Sequence, residues 1–185
     1  MRYTFRMFRL LAIVLAIFAG WSLAGCTAWA TYPPVHGAAG MNNPGLAPVP
    51  ELMGRAIVDT HERSEDPYAI VYNLPERIDP AVYRRVEKFL PEGSAPQVAD
   101  DQVAIHVASI RIRGTEAEVD VIHLVDEVYQ MTTVGFKQRI TGWDIDSRRS
   151  WRIRVAAPYP NYGDTIEPES VTVDASDTGA MHEDG

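Results

Sequence analysis

The sequence predicts an α+β fold in which short helices pack on a four-stranded antiparallel β-meander. Three observations carry that expectation. A capped amphipathic stretch occupies residues 80–90, the hydrophobic period switches to two from Gln102 onward, and turn residues recur at hairpin spacing. A chain of 185 residues, 46% hydrophobic, holds enough apolar material for one core.

Each element has a local reason. Residues 50–59 read as a short helix with Leu52, Met53, Ala56 and Ile57 on its apolar side, interrupted by Gly54. Residues 68–73 (YAIVYN) read as a strand. Asp79 is a favourable N-cap and Pro80 suits the first helical position, so a helix is expected over residues 80–90. Val82, Val86, Phe89 and Leu90 line one face of it beside Tyr83, and Pro91 and Gly93 stop it. Strands follow at 103–113, 116–125, 128–140 and 150–156. They are separated by Gly114-Thr115, by Asp126-Glu127 and by a longer loop near Gly142. This helix-then-meander order, over residues 80–156, resembles the cystatin-like and NTF2-like cone folds.

Taking Gly114-Thr115 as a two-residue turn fixes a register. Arg113 then faces Glu116 and Arg111 faces Glu118, a complementary ladder on one face. The opposite face carries Ile112, Ile110 and Ala108 against Ala117, Val119 and Val121, and it places His106 across from His123. With Asp126-Glu127 as the next turn, Gln130 neighbours His123 and Lys137 faces Glu116. Two facing imidazoles suit acid–base work or metal ligation, which makes His106 and His123 the candidate catalytic pair. A catalytic zinc takes a third protein ligand, and Gln130 is a poor one. No metal site and no cofactor is therefore expected.

Other motifs are weaker. Asp144-x-Asp146 has the start of a calcium loop, but Arg148 stands at the next ligand position and the required glycine and glutamate are missing. Arg148, Arg149, Arg152 and Arg154 form a basic cluster that could meet anionic headgroups, but Arg152 and Arg154 are read chiefly as outward charges on an edge strand. Trp151, Ile153 and Val155 alternate with them toward the core, capped by Trp143. Val107, Ile105, Ile122, Leu124, Met131 and Tyr129 form an apolar zone at the far sheet end, to be covered by residues 51–72 or by a partner.

The termini speak about location. Arg2, Arg6 and Arg9 precede the uncharged apolar run LLAIVLAIFAG at residues 10–20, too short to span a bilayer comfortably but suited to a secretory signal. Leu23-Ala24-Gly25-Cys26 follows, and it resembles the lipobox of bacterial lipoproteins. The resemblance implies cleavage between Gly25 and Cys26, diacylglyceryl transfer to the Cys26 thiol and acylation of the new amino terminus. Two or more chains would anchor the protein stably. Thr27 in place of aspartate implies an outer membrane where the host has one. Ala28-Trp29-Ala30 offers a competing cut that would release a soluble protein, and an uncleaved anchor is a third reading.

Residues 1–25 are thus expected as signal peptide and 26–50 as a lipidated cysteine with a Pro/Gly-rich tether, whose ends would average about 27 Å apart. Residues 51–158 form the single domain. Residues 159–185, with seven acidic side chains and no basic one, form a solvated tail. After the signal, 14 basic residues stand against 25 acidic, a formal −11, which argues against nucleic acid as a partner. A lone cysteine excludes an internal disulfide and every multi-cysteine metal motif. The expected protein is a lipid-anchored envelope protein, facing periplasm or exterior, with a small non-catalytic interaction domain. Its expected partners are the bilayer, through Cys26, and an envelope protein. The alternative is a ligand-binding or enzymatic cone with a His106/His123 pocket.

Overall fold

The structure, a computed structural model, describes residues 28–64 and 67–162. The expected signal at residues 1–25, Cys26 and most of the acidic tail lie outside the described residues.

The elements are β1 (Ala30–Tyr32), β2 (Ala39–Gly40), α1 (Val49–Ser64), β3 (Val71–Asn73), α2 (Pro80–Val86), a 3-10 turn (Glu87–Phe89), β4 (Ala95–Pro96), β5 (Ile105–Arg113), β6 (Glu116–Val125), β7 (Val128–Arg139) and β8 (Gly142–Arg154). The class is α+β. The sheet, however, has eight strands and is mixed, where four antiparallel strands were expected. Its main path runs β2-β1-β5-β6-β7-β8. β5 shares one edge between two short strands: β1 pairs antiparallel with its C-terminal half and β3 parallel with its N-terminal end. β1–β2 and β3–β4 are also parallel.

β5 to β8 do form the expected meander, because their turns are local. Gly114 takes a positive φ of 59°, as a tight hairpin requires, and Asp126 and Glu127 take 48° and 64°. The loop expected near Gly142 shrinks to Ile140-Thr141, so the last strand begins at Gly142 instead of residue 150. Asp144 and Asp146 are accordingly strand residues, and Asp144 pairs with Arg139 at 3.6 Å.

The helices differ from expectation in length and role. α1 continues to Ser64, past the expected end at residue 59, since nothing in Thr60-His61-Glu62-Arg63 breaks it. It lies across β5 and β6 and supplies Leu52, Met53, Ala56 and Ile57 to the core. Gly54 serves the packing: a Cβ there would come within 2.7 Å of Phe89 Cβ. α2 is capped as expected, Asp79 accepting from the Ala81 amide at 2.7 Å, and it buries Val82, Tyr83 and Val86. It packs chiefly on α1 instead of directly on the sheet, and Phe89 is exposed. The helix that covers the sheet is therefore the earlier one.

Both flanks of the expected domain are drawn into the fold. Residues 30–50 hold two strands and the first two residues of α1, whereas the density of prolines and glycines argued for a tether without secondary structure. The Met41 amide donates to Thr31 O at 2.9 Å, and Arg85 on α2 donates to the Gly45 carbonyl. At the other end, residues 159–162, expected in the tail, are tied down. Asn73 Nδ2 donates to Tyr159 O at 2.8 Å, and buried Asn161 accepts from Tyr83 Oη at 2.7 Å and donates to Leu74 O at 2.8 Å. Of the expected core residues of the last strand, Trp143 is buried, Trp151 is half-buried, and Ile153 is 59% exposed.

Candidate functional site

The β5–β6 hairpin begins in the expected register. Arg113 pairs with Glu116, Arg111 with Glu118, Ile112 with Ala117 and Ile110 with Val119. Between Ser109 and Val107 the register shifts by one, leaving Ala108 as the extra residue of a bulge. Because side chains alternate, one residue exchanges the faces of everything beyond it. Val107 becomes the core partner of Val121, and His106 falls opposite Ile122 instead of His123. His106 and His123 therefore point to opposite faces and form no pair. The apolar zone is divided in the same way, with Val107 and Ile105 buried beneath α1 and Ile122 and Met131 facing outward.

His106 sits beside Asn73 of β3, half-buried, with Nδ1 enclosed and unpartnered. Burial pushes its imidazole down to about 4, against the opposing charge of Glu76. His123 lies on the helix-covered face, next to Gln130 as expected. Its Nε2 is 3.1 Å from Thr132 Oγ1, which lies 3.3 Å from Ser150 Oγ, so β6, β7 and β8 each give one member to a short polar chain. Burial lowers the His123 pKa as well, and its Nδ1 is also enclosed without a partner.

A recess of about 250 Å³ opens beside His123. His61 and Ser64 from the end of α1, Ile70 and Val71 at β3, and Val103 to Ile105 before and within β5 wall it with Leu124. His106 does not line it. His61 had a sequence signal that went unread: it stands four residues beyond Ile57, on the continuation of the apolar helix face. Its arrival at the recess depended on α1 running one turn further. Among the described residues, no three His, Cys, Asp or Glu side chains converge in a metal-binding group.

Two carboxylates are engaged elsewhere. Asp120 on the outer face accepts from Ser109 Oγ at 2.8 Å, Arg111 Nη1 at 2.6 Å and Thr133 Oγ1 at 2.6 Å, and Thr133 in turn accepts from Trp151 Nε1 at 2.9 Å. The node crosses β5 to β8 and satisfies a buried charge. Asp59 on α1 accepts two bonds from Arg148 on β8, at 2.8 and 2.5 Å. Arg148, read from the sequence only as part of a basic cluster, joins the edge strand to the helix.

No protein-family model, curated protein or solved structure matches the chain. Among the described residues, no helix is long and apolar enough to cross a membrane.

Proposed function

We propose that the chain is a bacterial envelope lipoprotein, anchored through Cys26, whose small α+β domain binds a partner and carries out no chemistry of its own. The observation that carries this is Leu23-Ala24-Gly25-Cys26, placed directly behind an eleven-residue apolar run and three arginines. The non-catalytic reading is supported by how the polar groups are used: Asp120 and Asp59 are both engaged by hydrogen-bond donors, and the two candidate histidines stand on opposite faces. The test is incorporation of radiolabelled palmitate into wild type and Cys26→Ser. Label in the wild type that disappears from Cys26→Ser is expected, and equal labelling ends the lipoprotein reading.

A second reading, a small-ligand site, rests on the recess beside His123. It calls for a small ligand of mixed character, apolar toward Ile70, Ile105 and Leu124 and polar toward His61 and Ser64. An environment-sensitive apolar dye that binds the wild type and is displaced in Ser64→Trp would support it, and unchanged dye binding in that variant would count against it.

A further inference from the structure

Residues 30–50 belong to the fold, and this changes where an anchored domain must sit. Cys26 precedes Ala30, the first residue of β1, by four positions, a reach of at most about 14 Å. A tether holding the domain clear of the headgroups is thereby lost, and one end of the sheet is brought to the bilayer. That end is identifiable. Trp29 enters β1 there, and Arg113 stacks on its ring with Cζ 4.6 Å from the centroid. The Gly114-Thr115 turn lies next, and the Gln138 amide donates to Thr115 O at 2.8 Å, which aligns the β7–β8 turn with it. The tip of that turn is Ile140, fully exposed, flanked by exposed Lys137 and Arg139.

We infer that this sheet end, with Trp29, Arg113, Lys137, Arg139 and Ile140, is a lipid-contacting surface that seats the domain on an anionic bilayer. The inference rests on the reading of Cys26 as the lipidated residue. Three cations stand here, Arg113 paired with Glu116 and Arg139 with Asp144, which leaves Lys137 in excess, whereas at the opposite sheet end Asp126-Glu127 stand beside Arg154. A protein of net negative charge approaches anionic lipid most favourably by its cationic end. Tryptophan suits the headgroup level, with its apolar body and single N–H donor, and an isoleucine at a turn tip has no protein surface to cover it. The start of β1, the exposed apolar residue and the positive charge all lie on the same side.

The test uses the full lipidated chain in vesicles of phosphatidylcholine alone or mixed equally with phosphatidylglycerol. A fluorophore is attached at Ile140→Cys or, as control, at Asp126→Cys, and the lipid acyl chains carry a nitroxide quencher. On the anionic vesicles, about twofold quenching is expected at Ile140→Cys and almost none at Asp126→Cys. Adding Lys137→Glu and Arg139→Glu should reduce the difference while the protein still floats with the vesicles. Protein that floats yet shows equal quenching at both positions overturns the orientation and leaves the anchor standing. Wild-type protein that neither takes up palmitate nor floats overturns the anchor and the orientation together.

Discussion

Arg148 and Asp59, 89 residues apart, form a two-bond grip between the edge strand β8 and the helix α1. Burial raises the Asp59 carboxyl, but the Arg148 hydrogen bond and charge, with help from Arg63, more than offset it and hold the group below the usual carboxylate range. The carboxylate form is thus favoured by folding. Its stabilisation is present above the unfolded pKa and is lost as pH falls through the folded one. Arg148→Ala leaves Asp59 largely buried with only the exposed Arg63, at 3.5 Å, to offset its charge, and should cost about 1–3 kcal/mol in urea denaturation, since Arg148 is itself partly exposed. A loss below about 0.5 kcal/mol would mean that the pair is only incidental.

The histidines make a pH prediction of the same sign, in a higher window. His106 is pushed down to about 4 and His123 is also lowered, both by burial. The unfolded chain takes up these protons near about 6.5, so their contribution is full above that pH and fades as pH falls toward the folded values. Stability should therefore drop between about pH 7 and about pH 5, and His106→Gln should flatten that slope. An unchanged slope in His106→Gln would contradict it. Because the two rings lie on opposite faces, the costs of His106→Ala and His123→Ala should add to within about 0.5 kcal/mol in a double-mutant cycle.

Gly54 tests the contact between α1 and the segment after α2. Alanine is the better helix former by about 1 kcal/mol, yet its Cβ would meet Phe89 Cβ at 2.7 Å and Val86 O at 3.3 Å. Gly54→Ala should destabilise by about 1–3 kcal/mol, read from the denaturation midpoint. Phe89→Ala should not rescue it, because the clash is with the Cβ that alanine keeps. A more stable Gly54→Ala would show that propensity outweighs packing here.

The β6–β7 turn carries two non-glycine residues, Asp126 and Glu127, at positive φ. Left-handed backbone costs an L-residue about 1–2 kcal/mol, and Asn-Gly is the preferred pair for such a turn. The double substitution Asp126→Asn with Glu127→Gly should stabilise by about 1 kcal/mol and raise the melting temperature, less whatever the glycine adds to unfolded-chain entropy. A lowered melting temperature would show that the acidic pair makes contacts worth more than the strain.

Short-range features were legible in the sequence. Gly114-Thr115 and Asp126-Glu127 each close a two-residue turn, so the neighbours of Arg111, Arg113 and His123 followed from counting outward. Asp79 and Pro80 announced α2 by local capping chemistry. The extent of α1 was only half legible: nothing from Thr60 to Ser64 breaks the helix, and the stop signal, Pro67, stands three residues past its end.

What the sequence by itself determined is the α+β class, the meander and its first register. These depend on periods and turns that span only a few residues. Tertiary structure alone decided the bulge at Ala108 that parts His106 from His123, the seating of β1 and β3 along one edge of β5, and the grip of Arg148 on Asp59. Each depends on groups far apart in the chain competing for one surface. The core accepts Val107 in place of Ala108, and β5 offers backbone hydrogen bonds that Ala30 to Tyr32 satisfy despite the prolines around them. No local period encodes that competition, since its outcome is set by what is buried, and burial is known only when the whole chain is folded.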